Sequence, residues 1–239
     1  SIIADILKAR EDKGGIVNVY YVACGGSYAG LHPGKYFLQS EAKKVTVDHY
    51  TANEFCHATP KALGPNSIVI TQSHSGTTPE TVKAAEIAQK AGAASVVITF
   101  DDQSPLAKNG DYVLKYEAKA PADMSGMAFG LKLAVEILNQ VEGYENYDEM
   151  MNGFDRIDGI VKHAKEFLTP RAKIFAEEYK DEKLIYMMGS GANYRVAYSF
   201  AICLLMEMQW INSSAIHSGE YFHGPFEITD RETPFIVFM

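Results

Sequence analysis

Apolar and polar positions alternate along this chain in blocks, and the blocks set the elements. Residues 17–23 form a β-branched and aromatic run that ends in Cys24-Gly25-Gly26-Ser27 and gives way to helical periodicity through about residue 39. That pattern predicts a strand, a tight glycine turn and a helix. A short strand is predicted at 44–47, and a helix with Asn53 and Glu54 near its start runs to about residue 59. Residues 67–71 are again apolar, end in the polar turn Gln72-Ser73-His74-Ser75-Gly76-Thr77-Thr78-Pro79-Glu80, and pass into an alanine-rich helix over 80–91. Strands at 95–100 and 111–115 and a long helix over 127–141 follow. Strands alternating with helices at this spacing imply βαβ units and a parallel sheet covered on both faces.

Residues 146–179 are helical but more charged, with Pro170 as an expected break, which sets a boundary between 1–145 and 146–239. A strand at 184–188 then ends in Gly189-Ser190-Gly191-Ala192-Asn193 before a long apolar helix over 194–210, so the opening unit recurs in outline. Residues 215–218 give a short strand, and 234–239 read as a buried strand at which the chain looks cut short. The expected class is α/β, with two similar doubly wound parallel-sheet halves and the second truncated.

Composition narrows the class. With 239 residues and 47% hydrophobic content the chain can bury a sizeable core. Its net charge of -8 comes from scattered acids, and no basic stripe could neutralise a row of phosphates, which excludes nucleic acid as a partner. Cys24, Cys56 and Cys203 are odd in number and far apart, an argument for a reducing compartment, the cytoplasm by default, and against disulfides or zinc. No apolar run approaches the roughly 20 residues of a membrane helix, and the first residues show no signal-peptide pattern.

In an open parallel sheet, ligands gather at the carboxyl ends of strands, where turns offer backbone N–H groups and helix N-termini carry partial positive charge. Ser73, Ser75, Thr77 and Thr78 place four hydroxyls ahead of a helix, with Gly76 permitting close approach and Pro79 suited to the first helical turn. Such hydroxyls either cradle a phosphate or simply cap the helix. Ser27, after Gly25 and Gly26, is a weaker signal that gains from its equivalent place one strand away. Glu207 interrupts an otherwise apolar helical stretch, so burial is expected, and with it a raised pKa suited to proton shuttling, unless the acid faces a cleft or pairs with a residue such as Arg195. His223 sits in a turn among Gly219, Gly224 and Pro225, where a near-neutral imidazole serves as acid or base, with Glu220 and His217 as candidate partners. His74 has the place of a contact or support residue.

Together, Cys24-Gly25-Gly26-Ser27, the turn from Ser73 to Thr81, Ser104-Pro105-Leu106-Ala107 and Glu220-Tyr221-Phe222-His223-Gly224-Pro225 resemble the SIS phosphosugar-binding family over nearly the whole chain. The last motif is similar to the Glu-Leu-Lys-His-Gly-Pro segment in the isomerase half of glucosamine-6-phosphate synthase, and Glu207 and His223 have the spacing of its catalytic pair. From Ser190 through Met206-Glu207-Met208-Gln209-Trp210 to His223 the chain resembles the fructosamine 6-phosphate deglycases. Leu204 stands where the synthase isomerases carry a lysine one helical turn before the glutamate, a departure that favours deglycation over aminotransfer.

The resemblance implies flavodoxin-like three-layer halves, with 1–145 the first SIS domain and 146–239 linking helices and the start of a second. It implies a phosphorylated sugar-amine substrate held by Gly25, Gly26, Ser27, Ser73, His74, Ser75, Thr78 and Ser190. Glu207 and His223 would be acid and base, without metal or cofactor. The expected assembly is a homodimer or higher, in which the His223 loop reaches a neighbouring subunit's site. The implied reaction splits an Amadori product such as fructoselysine 6-phosphate into glucose 6-phosphate and amine. An aldose-ketose or amino-sugar phosphate isomerase and a non-catalytic sugar-phosphate sensor are the alternatives.

Overall fold

The computed structural model describes residues 1–119 and 122–239, the side chains of 122–124 excepted. The chain divides into two compact units, Ser1–Glu145 and Asn146–Met239.

In the first unit, helix α1 (Ile2–Lys8) precedes strand β1 (Asn18–Ala23), which leads into helix α2 (Gly25–Glu41), strand β2 (Thr46–Thr51) and the short helix α3 (Ala52–His57). Strand β3 (Ser67–Gln72), helix α4 (Pro79–Lys90), strands β4 (Ala94–Thr99) and β5 (Tyr112–Lys115), and helix α5 (Ala122–Glu142) complete it. The five strands form one parallel sheet in the order β2-β1-β3-β4-β5. Every residue of β3 and β4 is buried, as strands covered on both faces require, whereas β2 at one edge is half exposed. Alternation then sorts the side chains of β1. Tyr20 and Val22 pack with Val69 against Phe55 of α3 and Ala84 and Ala88 of α4, and Tyr21 turns to the other face, where its hydroxyl donates to the Gly130 carbonyl of α5 at 3.2 Å.

Helices α2 and α5 cross almost backbone to backbone. A Cβ built at Gly34 would lie 2.3 Å from the Gly130 carbonyl oxygen, so only glycine fits this crossing. The junction between the end of α2 and β2 is held by Glu142 at the end of α5, whose carboxylate accepts the N–H groups of Lys43, Lys44 and Val45 at 2.8 to 3.2 Å.

The second unit begins with helix α6 (Tyr147–Tyr179), 33 residues with Pro170 inside it. The break expected at Pro170 does not occur. A proline removes one intrahelical hydrogen bond and crowds the preceding turn, and here the helix continues through it. Strand β6 (Leu184–Gly189) follows, then helix α7 (Tyr194–Ser199), which runs directly into a π-helical stretch over Phe200–Gln209. The uniform α-helix expected over 194–210 is thus replaced in its second half by a wider turn. Strand β7 (Asn212–His217), two 3₁₀ segments (Ser218–His223 and Pro225–Ile228) and strand β8 (Phe235–Val237) complete the unit. Its parallel sheet has the order β7-β6-β8, the same relation that β2-β1-β3 has in the first unit, so the recurrence read from the glycine turns extends to topology. Ile185, Met187, Ala197, Ala201, Leu205 and Ile211 form its core. The terminal strand is half-buried to exposed rather than buried.

Candidate functional site

Strand order 2-1-3-4-5 places the topological switch between β1 and β3, where successive connections leave the sheet in opposite directions and open a crevice at the carboxyl ends. The parallel register pairs Ala23 with Gln72, so the turns after these two strands start side by side. Gly25, Gly26 and Ser27 form the first turn of α2, half-buried, with Gly25 at φ +54. Ser73, His74, Ser75 and Thr78 form the other turn, ahead of α4. The sequence placed these seven residues together, and the fold brings them together.

What the hydroxyls do distinguishes cradle from cap. Thr78 is the N-cap residue of α4, yet its side chain makes no capping bond. Its hydroxyl lies instead 2.9 Å from that of buried Ser73, and Ser75 and Thr77 pair their hydroxyls at 2.6 Å. Cys24, the N-cap of α2, likewise makes no side-chain cap. By contrast Ser1 and Thr51 cap α1 and α3 in the ordinary way. Helices α2 and α4, which start at the switch point, therefore leave first-turn N–H groups to other acceptors. An anion is the natural acceptor there, because amides and hydroxyls satisfy several oxygens and the helix dipole adds favourable potential. The same arrangement suits a phosphate better than a metal, and among the described residues no cluster of three His, Cys, Asp or Glu could hold one.

A second layer, not foreseen from the sequence, holds the serine turn rigid. Gly76 has φ +68 and sits against Ser104, whose Oγ a Cβ at position 76 would meet at 2.1 Å. The Leu106 N–H donates to the Gly76 carbonyl at 3.0 Å, and the His74 carbonyl accepts from the Thr99 hydroxyl at 3.0 Å and the Phe100 N–H at 3.2 Å. The His74 ring rests on Phe100, 4.7 Å between centroids, and its Nδ1 is 3.0 Å from the Tyr116 hydroxyl. Only Ser104, within its short motif, carried any sequence signal. Thr99 ends an apolar strand, Phe100 and Tyr116 follow such strands, and all three look like core until the fold is known.

The second unit carries the remaining candidates. Ser190 follows β6, exposed, and the register sets Gly189 beside His217 of β7. His217 is spent on a local role, its Nδ1 accepting the Gly219 N–H at 3.1 Å while its ring packs on Tyr194. Glu207 lies in the π-helical stretch and is exposed, which corrects the expectation of a buried acid. The apolar residues that suggested burial, Leu204, Met206, Met208 and Trp210, are themselves exposed beside it, so within this chain the helix buries only its Ala201 and Leu205 side. Pairing with Arg195 is not realised either, since that guanidinium lies over the rings of Tyr194 and Tyr198, about three turns away along the helical run. His223 ends the first 3₁₀ segment, exposed. Glu207 precedes β7 and His223 follows it, so the six-residue strand, about 20 Å of rise, separates their points of attachment.

The first unit is a doubly wound α/β domain with hydroxyl-rich turns and two helix N-termini without side-chain caps at its switch point. The model of the SIS domain matches residues 17–140, and the chain belongs to the SIS domain family. It is 45% identical to fructosamine deglycase FrlB of Bacillus subtilis over 94% of this chain and 69% of that protein. It is 25% identical to fructoselysine 6-phosphate deglycase of Escherichia coli K12, over 100% of this chain and 68% of the other. A solved structure from Salmonella typhimurium LT2, described as a candidate phosphosugar isomerase, superposes with TM-score 0.93 at 48% identity, covering 99% of this chain and 71% of that one. Among the described residues no helix is long and apolar enough to cross a membrane.

Proposed function

We propose that this chain is a cytoplasmic fructosamine 6-phosphate deglycase that hydrolyses an Amadori product, such as fructoselysine 6-phosphate, to glucose 6-phosphate and free amine. The observation that carries the reading is the pair of uncapped helix N-termini at the β1/β3 switch, with a hydroxyl turn between them. It is supported by 45% identity over 94% of the chain to a relative named as a fructosamine deglycase. Ser27, Ser73, Ser75 and Thr78, with the amides of Gly25 and Gly26, hold the phosphate. His223 assists ring opening and exchanges the proton at oxygen. Glu207 removes a proton from C1 and returns one to C2, which converts the ketoamine through an enaminol into an aldimine. One water then adds to the aldimine carbon, and the C–N bond breaks to give aldehyde and amine. An exposed Glu207 is open to such a substrate, and the separation of its attachment point from that of His223 suits a site completed by the histidine of a second copy, in a homodimer.

The decisive variant is Glu207→Gln. General acid–base groups contribute roughly 10²- to 10⁴-fold in rate, so amine release from fructoselysine 6-phosphate should fall by at least about 100-fold while the affinity for glucose 6-phosphate stays close to normal. Substantial residual turnover would remove Glu207 from the mechanism. A phosphosugar isomerase is the second reading, favoured by the description of the Salmonella structure. It would rearrange a sugar phosphate without freeing amine.

A further inference from the structure

The serine turn contains one imidazole, and Tyr116 and Gln72 follow one another behind it. Gln72, the last residue of β3, is fully buried, and its amide lies against Gly126 of α5, where a Cβ would come within 2.1 Å of Oε1. The amide is thus packed against the backbone of α5. Gln72 hydrogen-bonds to the phenol of Tyr116, which is 8% exposed and follows β5. Burial raises the Tyr116 pKa, and the Gln72 bond offsets this only in part, so the phenol keeps its proton at neutral pH. The phenol lies 3.0 Å from His74 Nδ1, and a phenol that accepts the Gln72 amide has its own hydrogen to give to that nitrogen.

We propose that Tyr116 and Gln72 are positioning residues that hold His74 as the Nε2–H tautomer, so that the turn offers a ring N–H to the sugar phosphate. The inference rests on the reading of the β1/β3 crevice as the phosphate site. An imidazole whose Nδ1 accepts a hydrogen bond carries its proton on Nε2. The opposite tautomer would turn a lone pair toward an anion and repel it. The ring is also fixed from its other sides, by Phe100 beneath it and by the bonds from Thr99 and Phe100 to its own carbonyl. A donor arranged in this way needs no reorganisation when the anion arrives, which is how preorganised sites gain affinity.

The test uses the 239-residue chain, uniformly ¹⁵N-labelled, at a pH above the ordinary histidine range. The His74 ring signals are assigned by their loss in His74→Gln. A long-range ¹H–¹⁵N spectrum should give the Nε2–H pattern for His74 in the unsubstituted protein, and an Nδ1–H pattern there overturns the proposal without any variant. Tyr116→Phe, which removes only the hydroxyl, should shift the ring toward a tautomer mixture and weaken binding of inorganic phosphate about three- to tenfold. Unchanged tautomer and unchanged phosphate affinity in that variant also overturn it. Neither readout depends on turnover. A chain that binds phosphate with these dependences but frees no amine loses the deglycase reading and keeps this one, and a deglycase whose His74 carries its proton on Nδ1 loses only this one.

Discussion

Gly76→Ala tests whether the serine turn is built around one glycine. The residue holds φ +68, and a Cβ there would lie 2.1 Å from Ser104 Oγ, 2.4 Å from Ser104 Cβ and 3.1 Å from Thr99 Oγ1. Ser104 cannot swing aside, because it is buried and its Oγ accepts the Ala107 N–H at 3.2 Å. A left-handed backbone costs an L-residue roughly 1–2 kcal/mol, and forcing a methyl into a packed site adds roughly 1–3 kcal/mol. The sum, about 2–5 kcal/mol, corresponds to a fall in Tm of roughly 6–20 °C for a unit of this size. Urea and thermal unfolding followed by circular dichroism would measure it. Ser104→Gly removes both close atoms, so in the double variant only the backbone penalty should remain, and the cycle should recover about 1–3 kcal/mol. A Gly76→Ala protein within about 0.5 kcal/mol of the original, or a cycle with no coupling, would refute the packing argument.

Three further outcomes follow from the same structure. Desolvation works against the charged form of Glu142, but the hydrogen bonds from Lys44, Lys43 and Val45 outweigh it and its pKa is lowered. A depressed carboxyl contributes stability that is present above its unfolded pKa and lost as pH falls through the folded one. Glu142→Gln should therefore cost about 1 kcal/mol near neutral pH, with the gap to the original closing in acid, as urea titrations at several pH values would show. Trp210 holds φ +58 at the end of the π-helical stretch and is 89% exposed. Trp210→Gly should consequently raise stability by about 0.5–1 kcal/mol, and a loss of stability would mean that the ring packs on something that matters. Ser73→Ala should weaken inorganic phosphate binding about three- to tenfold by calorimetry while leaving the unfolding midpoint nearly unchanged.

The strands of the first unit were legible because a sheet covered on both faces writes itself as continuous apolar runs, and Ser67–Gln72 and Ala94–Thr99 lie within a residue of where hydrophobicity places them. Strand β2 was read too early, at 44–47 rather than Thr46–Thr51, because an edge strand with Asp48 and His49 carries no such run. Two failures share one cause. Pro170 and Glu207 were judged by local rules, as helix breaker and as buried acid, whereas α6 buries none of its residues and the π-helical stretch leaves Glu207 exposed. The turns at the switch point were visible as hydroxyls and glycines at strand ends. The residues that stiffen them were not, because Gln72, Thr99 and Tyr116 reach the turn only through the packing of β3, β4 and β5 side by side.

Incubating the chain with fructoselysine 6-phosphate and quantifying glucose 6-phosphate and lysine in the same time course tests the account most directly. Both products should accumulate in equal amounts, and the Glu207→Gln protein, though it still takes up glucose 6-phosphate, should form neither at a comparable rate. Binding with no products, or a rearranged sugar phosphate with its lysine still attached, would contradict it.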